Sequence, residues 1–301
     1  MKLLVLLSCY NGERYLREQL DSLLSQTLSG VEIFVRDDGS SDGTVRILEE
    51  YAGKGLLRWT TGENIGASRS FWQLLQNCGR ADYYAFCDQD DIWDPDKLIT
   101  AVQTLEGKNK TGPAMYCSDV RVTDKEGRVL SKQMARPCPA NYEHALFRNL
   151  APGCTYVFNR AAKELLCEYD ADVLGIEFHD WTAYQIISCF GSVVFDSTPH
   201  MSYRQHGGNA VGAAYGSNLE LLSKVRGFQN GPARSRRARQ ALRMLTAYGN
   251  RMSPMNRMLT ERYAHYQTDS VKKRQLLQDR RLKLGRAESL LFKLAVFFNR
   301  L

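Results

Sequence analysis

Leu3-Leu4-Val5-Leu6-Leu7-Ser8-Cys9-Tyr10-Asn11-Gly12 opens with five consecutive apolar residues that run straight into a polar turn. An unbroken apolar run without alternation is the pattern of a parallel strand covered on both faces. It is too short for the apolar core of a signal peptide and far too short to span a membrane. The same unit then repeats. Residues 13–26 carry Leu16, Leu20, Leu23 and Leu24 on one helical face, and residues 31–35 read as a second strand. A helix over 42–51, a short strand over 56–59, a helix over 68–75 and a strand over 83–87 follow. Asp94-Pro95-Asp96 opens the next helix, with proline in its first turn. Four β-α units in succession predict a doubly wound α/β sheet, whose ligands bind at the carboxyl ends of the strands.

Beyond residue 110 the pattern is mixed. Residues 115–118 suggest a strand, and 121–122 with 128–130 a hairpin around 124–127. Residues 153–158 and 192–195 read as strands, and 160–168 and 178–189 as helices. A loop rich in Gly, Asn and Ala then leads to a tail that is helical by composition, broken near 227–232 and at Ser253-Pro254. The expected division is an α/β domain over 1–215 and a basic helical region over 216–301.

The net charge of +7 conceals an asymmetry. From Glu220 onward there are 19 Lys/Arg and 5 Asp/Glu, whereas the preceding residues carry 21 basic and 28 acidic side chains. An acidic front half argues against a nucleic-acid-binding core, and a basic tail suggests an anionic surface. The 8 cysteines form no C-x-x-C and several lie in apolar runs, so they read as reduced thiols of a cytosolic protein.

Polar residues gather where the strands should end. Ser8–Gly12 follows the first strand and Arg36-Asp37-Asp38-Gly39-Ser40-Ser41-Asp42-Gly43-Thr44 the second. Gly62-Glu63-Asn64-Ile65-Gly66 follows the third and Asp88-Gln89-Asp90-Asp91 the fourth. Three carboxylates in four residues repel one another, and a divalent cation removes that cost. Oxygen ligands suit Mg²⁺ or Mn²⁺, ions that also bridge to phosphates. The plainer alternative is acids decorating a helix N-terminus, a task for which Asp94 is better placed. Asp38 can accept a hydrogen bond from a base N–H, or serve only as a turn former, while Asp42 caps the next helix. Asn64-Ile65-Gly66-Ala67-Ser68-Arg69 suits a phosphate or base edge at a helix N-terminus, and equally an ordinary helix start.

Read in order, Cys9-Tyr10-Asn11-Gly12, the Arg36–Thr44 run, Glu63-Asn64-Ile65-Gly66 and Asp88-Gln89-Asp90-Asp91-Ile92-Trp93 resemble the family 2 inverting glycosyltransferases of GT-A fold, over about residues 1–210. The Asp-Gln-Asp-Asp-Ile-Trp form is similar to bacterial rhamnosyltransferases that use dTDP-rhamnose. The resemblance implies that Cys9 (where Thr is frequent) and Tyr10 line the base site, with Tyr10 stacking on the base. Asp38 would bind the base N–H, Arg69 would lie near the nucleotide and Asp88 would face the ribose. Asp91 and Trp93 would border the donor sugar, and Asp90 would ligate the metal. Asn11, Asn64 and Gln89, on the same loops, complete the expected nucleotide-sugar-binding set.

The resemblance also implies a late catalytic carboxylate, commonly in a Glu-Asp pair. Phe178-His179-Asp180-Trp181 occupies that place, with His179 where an acid is usual. Asp180 is the expected general base, against the alternatives that it caps a helix or that His179 takes the role. Tyr203-Arg204-Gln205-His206-Gly207-Gly208-Asn209 resembles the loop that closes over the diphosphate. Arg204 would contact phosphate, and His206 would ligate the metal or a phosphate oxygen, against the alternative of a lone His exposed in a polar loop.

The expected enzyme moves rhamnose from dTDP-rhamnose to a hydroxyl of a growing cell-surface polysaccharide or lipid-linked glycan. A UDP-linked hexose or N-acetylhexosamine is the alternative donor. A nucleotidyltransferase would want a Gly-rich, basic loop after the first strand, which Ser8–Gly12 lacks. A non-catalytic nucleotide- or carbohydrate-binding protein has no need of Asp180 beside a metal motif. The basic runs at 234–239 and 272–274, with the apolar residues 290–298, suggest attachment to the inner face of the cell membrane. Solvated helix faces or contact between copies of the chain are the rivals.

Overall fold

A computed structural model describes residues 1–108, 111–131, 139–207, 236–279, 281, 286–299 and 301. The chain divides into two compact units, Met1–Ala140 with Asn149–Gly208, and Asn141–Arg148 with Asn209–Leu301.

The first unit begins β1 (Leu3–Cys9), α1 (Leu16–Leu24), β2 (Val31–Asp37), α2 (Thr44–Gly53), β3 (Arg58–Thr61), α3 (Ala67–Asn77) and β4 (Tyr83–Cys87). It continues with β5 (Ile92–Trp93), α4 (Lys97–Lys108), β6 (Ala114–Ser118), β7 (Arg121–Thr123) and β8 (Val129–Ser131). After α5 (Tyr142–Phe147), which belongs to the second unit, come β9 (Val157–Asn159), α6 (Arg160–Cys167), α7 (Ala171–Leu174), α8 (His179–Phe190), β10 (Ser192–Asp196) and β11 (Met201–Arg204).

Seven strands form the main sheet in the order β10-β6-β9-β4-β1-β2-β3. Leu3 to Leu7 are fully buried, as their unbroken apolar character demands. β1 runs parallel to both neighbours, with Cys9 opposite Asp37 and Leu7 opposite Cys87, and Asp37 lies opposite Thr61 of β3. The ends of these strands therefore fall on one edge. α3 closes one face by burying Phe71, Trp72, Leu74 and Leu75. Each such side chain contributes about 1.5–3 kcal/mol. β9 runs antiparallel to β4 and β6, so the start of β9 meets the same edge as the ends of its neighbours. A smaller sheet, β5-β11-β7-β8, contains the expected hairpin, whose Asp124 carboxylate accepts the N–H groups of Glu126 and Arg128.

Several boundaries differ from the sequence expectation. The third strand lies at 58–61, because its pairing with Phe34–Asp37 leaves Leu56 outside and exposed. Gly153–Thr155 is a 3-10 turn ahead of the strand, with the Pro152 carbonyl accepting from both the N–H and the hydroxyl of Thr155. Asp94 does not cap α4 with its side chain. Its carboxylate pairs with Arg121. α8 begins at His179 with Phe178 at its N-cap, so Asp180 lies within the first turn.

In the second unit α5 joins α9 (Arg236–Tyr248), α10 (Pro254–His265), α11 (Ser270–Gln278) and α12 (Arg286–Phe297). The expected break at Ser253-Pro254 is present, with the Ser253 hydroxyl accepting from Asn256 N–H. Tyr142 Oη lies 2.7 Å from Thr260 Oγ1, and the Phe147 ring meets Phe292 edge-on at 5.4 Å. The sequence division had placed residues 141–148 in the first domain. The boundary at 215/216, the break at 227–232, Arg234-Ser235 and Gly208-Asn209 lie outside the described residues. No described helix is long and apolar enough to cross a membrane. None of the seven described cysteines is in a disulfide.

Candidate active site

The loop after β1 is fixed by its neighbours. Tyr10 N–H donates to Gln89 Oε1 at 2.9 Å, and Gln89 Nε2 donates back to the Tyr10 carbonyl at 3.1 Å. A Cβ at position 12 would lie 2.3 Å from Gln89 Oε1, so a side chain there would displace the Gln89 amide from Tyr10. Asn11, at φ +48°, donates its N–H to Ser40 Oγ, and its Oδ1 accepts from Ser41 N–H. Asp42 accepts the N–H groups of Glu13 and Thr44 at the entry to α2. Three loops are thus locked together with the Tyr10 ring left 46% exposed. Cys9 is 1% exposed and burial, with Asp37, Asp42 and Asp38 nearby, pushes its thiol well up. It presents no side chain to an open site.

Asp38 is 2% exposed, pairs with the Arg36 guanidinium and accepts Ile65 N–H at 3.1 Å and Gly66 N–H at 2.9 Å. Its oxygens hold the loop before α3, so any base contact must share them. Asn64 and Arg69 are exposed on that loop and on the first turn of α3.

The acidic loop divides its tasks. Asp88, Asp91 and Cys154 bring ligand atoms within 4.8 Å of one another. Asp91 is 1% exposed; its Oδ1 accepts Arg204 N–H at 3.3 Å, and its Oδ2 has no hydrogen-bond partner among the described residues. Burial, then Asp90 and Asp180, pushes the Asp88 carboxyl up to about 7. Burial, then Asp90 and Asp88, raises the Asp91 carboxyl well above the usual carboxylate range. Asp90 turns the other way, its Oδ2 lying 2.7 Å from His206 Nε2, and the His206 ring stacks on Tyr15 at 4.9 Å. Beneath the loop, fully buried Lys97 donates to the Cys154 carbonyl at 3.0 Å, with Nζ 3.4 Å from the centre of the Trp93 ring. Burial lowers its ammonium to about 8 against the pull of Asp91 and Asp94. Trp93 is 2% exposed under that cation, so it supports the site from below and does not border an open sugar site.

Arg204 is 4% exposed and spends three nitrogens inside the protein. Nε donates to the Asp90 carbonyl at 2.9 Å, Nη1 to the Lys125 carbonyl at 3.0 Å and Nη2 to Glu18 at 2.5 Å. The expected phosphate contact would exchange these bonds; as placed, Arg204 braces the acidic loop. Tyr203, adjacent on β11, has its hydroxyl raised by burial and by Cys154, Asp88 and Asp91.

Asp180 is half-buried. Its Oδ1 accepts Trp181 N–H and its Oδ2 accepts Asn149 Nδ2, both at 2.7 Å. His179 beside it stacks on Phe71 at 4.0 Å and meets Phe86 edge-on at 5.2 Å, and burial lowers its basicity. That aromatic cage explains an imidazole where an acid is usual and removes His179 as a base. Gly153 makes the approach possible, since a Cβ there would lie 2.8 Å from both Asp180 Cβ and His179 Nε2. Asn149, Gly153, Cys154, Lys97 and Tyr203 were not singled out as site residues from the sequence. Only the Pro152-Gly153 pair ahead of a strand carries a local signal.

Carboxylate and imidazole at Asp90 and His206 offer one oxygen and one nitrogen ligand to a divalent cation, while the orphaned Asp91 oxygen belongs to the separate group with Asp88 and Cys154. Opposite them a fixed carboxylate with spare lone pairs can take a proton. These are the two requirements of group transfer from a diphosphate.

The sequence profile of glycosyl transferase family 2 matches residues 4–167, and the chain belongs to that family. It is a glycosyltransferase of GT-A fold with a helical C-terminal region. The dTDP-rhamnosyl transferase RfbG of Shigella flexneri is 33% identical over 239 residues, covering 73% of this chain and 77% of that protein. Among solved structures, S. aureus TarS 1-349 in complex with UDP-GlcNAc matches 98% of this chain and 90% of its own, with a TM-score of 0.56 at 16% identity. GalNAc-T7 with UDP, GalNAc and Mn²⁺ matches 68% of this chain and 43% of its own, with a TM-score of 0.51 at 15% identity.

Proposed function

We propose that this glycosyltransferase moves rhamnose from dTDP-rhamnose, with inversion, to a hydroxyl of a growing cell-surface polysaccharide or lipid-linked glycan. The observation that carries the chemistry is the Asp180 carboxylate, fixed by Trp181 N–H and Asn149 and close enough to Asp88 to push that carboxyl up. Asp180 takes the acceptor O–H proton as that oxygen bonds to the anomeric carbon. The bond from that carbon to the diphosphate oxygen breaks, and its electron pair leaves with the diphosphate. Attack opposite the leaving group inverts the centre. Asp90 and His206 would hold Mg²⁺ or Mn²⁺, which when bound supplies positive charge against the diphosphate. Tyr10 supplies the face on which the base stacks. The likeness to RfbG supports the sugar. The test is a panel of dTDP-rhamnose, UDP-glucose and UDP-N-acetylglucosamine scored for turnover with either ion. Turnover of a UDP-sugar with dTDP-rhamnose ignored overturns the donor.

We further propose that residues 1–215 form the catalytic domain and 216–301 a basic extension that holds the enzyme at the inner face of the membrane. α12 exposes Leu290, Leu294 and Phe297, with exposed Phe298 just beyond its end and exposed Lys293 beside them. Flotation with anionic vesicles tests this. Equal flotation of the wild type and Leu290→Glu/Phe297→Glu overturns it.

A further inference from the structure

Asn149 Nδ2 donates to Asp180 Oδ2 at 2.7 Å, and its orientation is decided by its other end. Asn149 Oδ1 accepts Leu150 N–H at 3.0 Å and the fully buried Tyr156 hydroxyl at 2.7 Å. A flipped amide would set its NH₂ against Leu150 N–H and its oxygen against the carboxylate, two repulsions in place of two hydrogen bonds. Asn149 therefore offers Asp180 a donor and nothing else. With Trp181 N–H on Oδ1, each carboxylate oxygen is pinned by one donor and keeps lone pairs for an incoming hydroxyl.

We infer that Asn149 is a positioning residue for Asp180, holding the carboxylate in one rotamer and bonding its charged form, with Tyr156 and Leu150 N–H holding Asn149 in turn. This rests on Asp180 as the base. The geometry supplies what a base on a helix's first turn otherwise lacks. Trp181 N–H is its own neighbour and fixes only one oxygen, whereas Asn149 reaches it from the segment ahead of β9. The Asp180 carboxylate bears on Asp88 at the end of β4, Tyr156 at the entry to β9 and His179 on α8. The Asp88 carboxyl is pushed up by burial, then by Asp90 and Asp180; His179 is made less basic by burial, and the Tyr156 hydroxyl stays protonated. The bond from Asn149 is thus a neutral donor placed on the carboxylate where the ionisable neighbours offer it no cation.

The test compares Asn149→Ala, Asn149→Asp and Asp180→Asn in turnover of dTDP-rhamnose, or of whichever nucleotide-sugar in the panel the wild type consumes. Asn149→Ala lowers kcat on the order of 10- to 100-fold with donor KM within about twofold. Asn149→Asp keeps the size and shape but sets a second carboxyl against Asp180. The two share a proton, so the acid limb of the pH–rate profile moves up by about one unit or more, and activity recovers as pH rises. If position 149 does not touch Asp180 in solution, that limb stays in place. If Asn149→Ala fails to fold, as judged by melting, Asn149→Asp decides. Wild-type kcat and an unmoved acid limb in Asn149→Asp, with Asp180→Asn inactive, overturn the role of Asn149 and leave the base standing. An active Asp180→Asn overturns both.

Discussion

His206 Nε2 lies 2.7 Å from Asp90 Oδ2 although 116 positions separate them in the chain. The meeting is made by the small sheet. β11 pairs with β5, immediately after the acidic loop, and Arg204 ties the two by bonding the Asp90 carbonyl. The two ends of one donor pair are thereby held on a single rigid element.

Chelation is the direct test of that pair. EDTA lowers donor turnover by about 100-fold or more, and Mn²⁺ or Mg²⁺ restores it. His206→Ala weakens metal affinity, read as a higher Mn²⁺ concentration for half-maximal rate. Turnover indifferent to EDTA removes the metal from the reaction.

Gln89 clamps Tyr10 through two backbone hydrogen bonds, so Gln89→Ala loosens the loop without touching a carboxylate. Expected are a stability loss of about 1–2 kcal/mol by denaturant melt and a raised donor KM with kcat little changed. An unchanged KM means the loop holds its shape unaided.

Gly153→Ala places a methyl 2.8 Å from Asp180 Cβ and His179 Nε2, and His179 is packed on Phe71 and Phe86. The variant loses about 1–3 kcal/mol in melting and loses kcat more than donor affinity. Wild-type kcat would show that Asp180 tolerates displacement.

In the second unit His144 is buried and its Nε2 accepts from Arg148 Nε at 3.1 Å, a bond that needs the neutral ring. Burial, then Arg148, lowers it to about 4 from 6.5. The unfolded chain therefore takes up the proton first. Stability is unaffected above pH 6.5 and is lost as pH falls from 6.5 toward 4, by roughly 2 kcal/mol after allowing for partial solvent screening. Melting of the wild type against His144→Asn across that range measures it. Parallel curves refute it.

The donor half was legible because its signals are local. Apolar runs of strand length ending in Asp, Gly and Ser give the sheet and its loaded edge without tertiary knowledge. The roles of individual residues were less legible. Asp38, Trp93 and Arg204 are the types a ligand site uses, but whether such a side chain faces the ligand or braces a neighbour depends on what packs beside it. Arg204 is the clearest case, since Glu18, which takes one of its nitrogens, lies on α1 at the far end of the unit's sequence. Asn149 left no trace, because a single polar residue in a loop has no period and its partner is 31 positions away.

Lys97 bears on what the cation does for the chain. A zinc finger without its metal is a knot of unopposed ligands and unfolds. Here the acidic loop rests on an interior ammonium that stays charged at neutral pH. The chain carries part of its own counterion. With that interior charge already in place, a cation held by Asp90 and His206 would add the mass-action increment of any ligand, growing with the logarithm of its concentration.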